Sequence, residues 1–155
     1  MTDIHHAPAV PRFRSARLAY RHEIAMMKSA LLACDEKAAL RHVVRAHILG
    51  QRYLIPHLTS HAWMMRMAWT RGDKFELLGQ LRRLLFALPA WLVGWVPVGN
   101  PGLASVSPLR PVPMSQDLAV YFVNDSIWRH VLLRLGLLAL AALMAFASTL
   151  LSINA

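Results

Sequence analysis

A chain of 155 residues has room for one compact domain with an appendage, not for two separate cores. With 56% apolar and 16% charged residues it is neither disordered nor collagen-like, and its single cysteine, Cys34, excludes an intrachain disulfide framework or a cysteine-based zinc cluster. The net charge of +9, combined with the apolar excess, points to a membrane surface and not to nucleic acid.

Residues 1–11, with His5, His6, Pro8 and Pro11, read as a flexible arm. Residues 1–30 are charged throughout and lack the apolar stretch of a secretory signal. A helical domain is expected over 12–96. Its first helix, about 12–33, carries Phe13, Tyr20, Ile24, Met27 and Leu31 at helical spacing. Asp35 suits the N-cap of a second helix over about 37–50, with Leu40, Val43, Val44 and His47 on one face and Gly50 as the residue just past its end. Pro56 suits the first turn of a third helix over about 56–71, and Asp73 the cap of a fourth that runs through Leu81 or beyond.

The apolar run 84–98 is short for a membrane span and is interrupted by Pro89, Gly94 and Pro97. It reads either as an interfacial helix over 82–96, with Trp91 and Trp95 on one face, or as a core helix of the domain. Five prolines make 97–114 a loop, and Ser115 suits the cap of an amphipathic juxtamembrane helix over 115–130. The stretch from Leu135 to Ile153 has neither charge nor proline, and with Val131, Leu132 and Leu133 it gives a transmembrane helix over 131–153. Trp128, Arg129 and Arg134 stand where interfacial anchors belong, with Arg134 snorkelling toward the headgroups. The basic flank precedes the span, so the helical domain is expected on the cytoplasmic side of a bacterial inner membrane, held by one pass. The fold class is therefore all-α: a cytoplasmic helical-hairpin domain with one C-terminal transmembrane helix.

Asp35 and Asp73 stand 38 residues apart, each between two helical stretches, which is the unit of helical repeat arrays. In the first unit Asp35, Ala39 and Ala46 stand where tetratricopeptide repeats place a turn acid and two small packing residues. The segments HVVRAHILGQ (42–51), RGD (71–73), LGQLR (78–82), VPVGN (96–100) and PVPMSQDL (111–118) resemble those of a small bacterial family catalogued as a domain of unknown function. The resemblance covers about residues 12–120 and leaves out the C-terminal anchor. The family pattern has a glutamate one position before the arginine of the first segment, where this chain has Val44. The resemblance implies no secure activity, although some members occur near metal-resistance genes.

Eight histidines against eight carboxylates is a high ratio, and four of the histidines fall between 42 and 61. His57 and His61, four apart, share a helix face and can chelate one ion, and a short connection brings His47 of the preceding helix toward them. Glu23 adds a possible carboxylate, and Met64 or Met65 a thioether. This set suits zinc, iron or copper. His42 lies about 140° round the helix from His47 and is a poorer partner. The alternative is that these histidines are core residues bonded to carbonyls, with the methionines as ordinary packing. No P-loop, dinucleotide fingerprint, nucleophile elbow or HExxH motif occurs. Two functions are therefore expected. One is a non-catalytic accessory or assembly subunit docking on a membrane enzyme or cofactor complex, with the lipid bilayer as its other partner. The other is a metal-binding protein or metal-dependent enzyme using His47, His57, His61 and Glu23.

Overall fold

Polar caps set where the helices begin. Ser15 accepts from the Leu18 N–H at 3.3 Å, Asp35 from Ala38 at 2.8 Å and Asp73 from Glu76 at 3.0 Å, each filling one of the donors a helix start leaves open. They open α1 (Ala16–Leu32), α2 (Glu36–Gly50) and α4 (Lys74–Leu92), with α3 (Leu54–Arg71) between the last two. A four-residue α5 (Gln116–Ala119) and a long α6 (Ile127–Ile153) complete the chain. The computed structural model describes residues 15–95, 97–123 and 127–153, giving only the backbone for 127, 129, 130 and 153. The expected arm over 1–11, Phe13 and the Arg129 side chain lie outside the described residues. Among those described every regular element is a helix, so the chain is all-α.

Consecutive helices pack as hairpins, α1 on α2, α2 on α3 and α3 on α4. The two acidic turns are built alike. Asp35 N–H bonds back to the Ala30 carbonyl and Asp73 N–H to that of Ala68, both at 2.9 Å. The residue before each, Cys34 or Gly72, is left-handed, with φ of 57° and 68°. This is the Schellman arrangement followed at once by an acidic cap, so one tight connection ends a helix and starts the next.

The core has two parts. Met27, Ala39, Val43, Met64 and Met67 fill the space between α1, α2 and α3. Ala19, Ile48 and Leu49 pack with Leu118 of α5. Ala39 and Ala46 are fully buried, and their small side chains allow close helix approach.

Four expectations change. Gly50 is the last helical residue of α2 and not the residue beyond it. A Cβ there would stand 2.9 Å from that of Pro56 and 3.1 Å from the Tyr20 ring, so close approach and not a left-handed turn requires glycine. The segment 82–96 is no separate helix: α4 runs unbroken through Pro89 to Leu92. Proline removes one donor but leaves its carbonyl in use, and Val93 N–H bonds the Pro89 carbonyl at 3.2 Å. No continuous helix covers 115–130. α5 gives way to turns at 120–123, because Leu118 alone of its residues is buried, and Ser115 makes no side-chain cap. Arg134, finally, turns back onto the domain. Its guanidinium stacks 3.8 Å from the centre of the Trp91 ring and donates to the carbonyls of Trp91 and Arg52, the latter at 3.0 Å.

α6 is long and apolar enough to cross a membrane over Val131–Ser152, and most of its large side chains are exposed. Its first turns pack on the end of α4.

Candidate metal centre

His47 enters the interior from the last turn of α2, and His57 and His61 from the first two turns of α3. The tight connection at residues 51–53 turns one helix end against the other helix start. The ring centres stand 4.6 Å (His47–His61), 4.7 Å (His57–His61) and 4.9 Å (His47–His57) apart. One nitrogen from each ring falls within 4.8 Å of the others. His47 and His61 are 3% and 2% exposed, and His57 is half-buried.

Two of the rings are oriented from behind. His47 Nδ1 lies 3.1 Å from the Asn100 carbonyl, which can only accept, so Nδ1 carries the proton. His61 Nδ1 lies 2.6 Å from Gln80 Oε1. The Gln80 amide nitrogen donates to Glu76 Oε1 at 2.6 Å and to the Gly102 carbonyl at 2.8 Å, which fixes Oε1 as an acceptor and gives His61 Nδ1 a proton too. The Nε2 lone pairs of His47 and His61 therefore remain for a shared ligand. His61 Nε2 meets His57 Nε2 at 3.0 Å, whereas His47 Nε2 and His57 Nδ1 are buried with no hydrogen-bond partner. Ligating histidines are characteristically oriented by bonds to their far nitrogens.

The electrostatics keep all three rings neutral at pH 7. Burial, then His61, His57 and Arg83, pushes His47 well below the ordinary histidine value. Burial, then Arg83, lowers His57 to about 4. Burial, then His57, lowers His61 to about 3 against the opposing Gln80 hydrogen bond, with Arg83 adding to the fall. Neutral imidazole is the form that binds metal.

The proline-rich loop covers the cluster. Asn100, buried, ties it together by donating to the Ser107 and Arg110 carbonyls at 2.8 and 2.7 Å and accepting from Gly102 N–H at 3.0 Å. Arg83 donates to the Leu103 and Val106 carbonyls at 2.7 and 2.5 Å. Gln51 sits between loop backbone groups, and with its amide turned so that both ends are satisfied it donates to the Pro97 carbonyl at 3.3 Å and accepts from Gly99 N–H at 3.2 Å. Gly102 has a φ of 79° and lies so near His47 that a Cβ there would be 2.8 Å from the ring. Over the rings opens a cavity of about 520 Å³, with apolar walls such as Phe86, Ala90, Val93 and Trp95, and with Arg82 and Arg83 as its cations.

Thus the structure brings His47, His57 and His61 together but not Glu23. The Glu23 carboxylate is held by His42 Nδ1 and Arg45 Nε, each at 2.7 Å, on another side of α2. Met64 is buried, and its sulfur accepts from Gln80 at 3.5 Å instead of facing the rings. Met65 lines a different cavity. Gln80, Glu76, Asn100 and Gly102 were missed by reasoning on ligand types, since amides, a spent carboxylate and glycine are poor or impossible ligands for such an ion. The signal for two of them was nevertheless present: Gln80 lies in LGQLR and Asn100 in VPVGN, two of the segments that carry the family resemblance. Of the expected interfacial residues, Trp91 is half-buried under Arg134 and bonded to the Arg52 carbonyl at 3.2 Å, whereas Trp95 and Trp128 are exposed.

Fold and site define a small all-helical protein in which two helical hairpins and a proline-rich loop enclose a three-histidine cluster, followed by an apolar helix long enough to cross a membrane. The chain belongs to the family described as protein of unknown function (DUF3703), whose model matches residues 14–122. The match takes in all three histidines, Gln80 and Asn100 and stops short of α6. No curated protein and no solved structure matches the chain.

Proposed function

We propose that this protein is a membrane-anchored metal-binding protein that holds a zinc-class divalent ion between His47, His57 and His61. One observation carries the reading. Ring nitrogens of His47 and His57 are buried without a partner, and leaving a buried polar atom unsatisfied costs about 1–3 kcal/mol. An ion that takes the His47 Nε2 lone pair removes that cost at His47. Zinc–imidazole bonds of about 2.0–2.1 Å require ligand atoms about 3.3 Å apart, a spacing that nitrogens within 4.8 Å of one another reach by small ring movements. Three imidazoles with no thiolate suit zinc, and the cavity leaves a fourth position open. Full-length protein purified from its own membranes in mild detergent should carry one zinc per chain by elemental analysis, and the His57→Ala/His61→Ala protein none. Equal metal in the two preparations would overturn the assignment.

The α6 span anchors the domain, with the basic residues before it keeping the domain on the cytoplasmic face of a bacterial inner membrane. Cys34, exposed and the sole cysteine, tests this directly. A membrane-impermeant maleimide should label it only after spheroplasts are lysed.

A second reading is supported by a different surface. Trp69, Leu77, Leu78 and Leu81 line an apolar groove of about 430 Å³ between α3 and α4, with Trp69 73% exposed. An apolar groove of this kind suits an accessory or assembly subunit docking on a membrane partner. Copurification from gently solubilised membranes that is abolished by Trp69→Glu/Leu78→Glu supports that role, and retention of the partner by this variant counts against it.

A further inference from the structure

The zinc reading leaves the occupant of the open position unassigned, and the cavity's chemistry narrows it. Among the described residues its lining contains three imidazoles, two guanidiniums and no carboxylate. The nearest acid of the hydrogen-bond network, Glu76, faces away: one oxygen accepts from Gln80 at 2.6 Å, the other from Ala104 N–H at 3.0 Å. An ion bound by three neutral rings keeps its full charge of two, with Arg82 and Arg83 adding to it, so the floor calls for an exogenous anion. The walls call for something else. Phe86, Ala87, Ala90, Val93, Trp95 and Leu109 are apolar, and about 520 Å³ lies within the range of about 300–1,000 Å³ usual for small-molecule sites. A small inorganic anion satisfies the floor and wastes the walls, and a neutral hydrocarbon does the reverse.

We propose that the centre takes an anionic amphiphile, a fatty-acid-like carboxylate whose head meets the ion and Arg82 and whose chain lies along the last two turns of α4. The proposal rests on the metal reading above. The position of the cavity favours a lipid-borne ligand. Ala90 precedes Trp91 and Val93 follows it by two residues, and Arg134 of the first turns of α6 is stacked on Trp91, so the apolar wall stands beside the point where the candidate span begins. A soluble short-chain acid has the same chemistry and reaches the site from water.

The test uses the full chain in phosphatidylcholine nanodiscs loaded with Co²⁺, whose visible spectrum reports the fourth ligand. Oleate supplied in the bilayer, octanoate from water, acetate and octanol are titrated separately. Oleate or octanoate should shift the spectrum at concentrations at least tenfold below acetate, with octanol silent. Whichever of the two acts at the lower concentration identifies bilayer or water as the source. Ala90→Trp, which fills the wall without touching a ligand, should erase the advantage over acetate while leaving the cobalt spectrum of the unliganded protein intact. Arg82→Gln should weaken the carboxylates several-fold. A normal cobalt spectrum that responds equally to acetate and octanoate, or to octanol as well as octanoate, overturns the amphiphile proposal alone. Failure to obtain a four-coordinate cobalt spectrum overturns the metal reading and this proposal with it.

Discussion

α2 carries two buried or half-buried histidines five residues apart, and their surroundings are opposites. His42, toward α1 and α5, meets Glu23 at 2.7 Å. Glu23 in turn meets Arg45, and Arg45 reaches Asp117 at 2.6 Å. Every charge there has a counter-charge, and the network is closed. His47, toward α3 and α4, meets two more histidines and a cavity whose charged groups, among the described residues, are cationic, with buried nitrogens left over. A satisfied network holds helices together and asks for nothing more. An unsatisfied cluster of neutral donors asks for a ligand. The difference shows why a count of histidines near a carboxylate is a poor guide to a metal site: the carboxylate that meets an α2 histidine among the described residues, Glu23, belongs to the structural half.

The largest effect should come from exchanging damage between the halves. His61→Ala should abolish zinc binding at micromolar metal while the helical body still folds, because the substitution empties the site and leaves the Glu23 network whole. Glu23→Gln should do the reverse, keeping one zinc per chain but costing about 2–3 kcal/mol of stability, since a 7% exposed acid bonded to the Arg45 guanidinium and the His42 ring loses its charge. Equilibrium zinc titration and chemical denaturation of both variants in one detergent check the pair. Loss of zinc in Glu23→Gln would merge the two regions into one and break the comparison. A step smaller, Gln80→Leu removes the acceptor that holds His61 Nδ1–H and should weaken zinc about 10–100-fold without changing its stoichiometry.

Acid should separate the halves as well. For metal-free protein, His57 and His61 titrate at about 4 and 3 in the fold, below the ordinary 6.5. The unfolded chain therefore binds protons first as the pH falls. Stability is complete above about pH 6.5 and is lost toward pH 4, by up to tenfold in the unfolding constant per pH unit for each histidine. Asp117 is also lowered, by the Ser115 hydrogen bond first and then by Arg45. Its contribution is present above the ordinary carboxylate value of about 3.9 and disappears only below it. Denaturation midpoints should accordingly fall between pH 6.5 and 4.5, and His57→Asn/His61→Asn should flatten that slope while Asp117→Asn leaves it unchanged.

How much of this was legible follows from which interactions are local. The caps Asp35 and Asp73, the four-residue spacing of His57 and His61 and the uncharged terminal run are all properties of short windows, and the all-α class follows from them. The approach of His47 was also readable, because only a short connection separates α2 from α3. Glu23 was misplaced because a helical stripe gives its direction to within a quarter turn, which does not decide between His42 and His47. The loop over 97–114 was readable as a loop, but not as the lid of the site. Asn100 acts through bonds to residues 107 and 110 and to His47, 53 positions away, and no periodicity records such contacts. Pro89 and α5 failed for a related reason: α4 continues past one missing donor, whereas Tyr121 and Phe122 pack on the second core from a turn and not from a helix.

The smallest prediction concerns the edge of the closed network. Asp117 is 57% exposed and Arg45 34%, so their 2.6 Å contact stands largely in water. Exposed pairs of this kind contribute about 0–1 kcal/mol, with screening by salt. Asp117→Asn should therefore cost under about 1 kcal/mol, and less at 0.5 M salt than at low salt. Glu23 keeps Arg45 and His42 in place throughout, and α5 keeps Leu118 in the core. Zinc affinity should be unchanged, because the network ends at His42 and does not reach round α2 to His47. A fall in zinc affinity larger than the fall in stability would show that α5 positions the metal centre through α2, making the two histidine environments parts of one coupled unit.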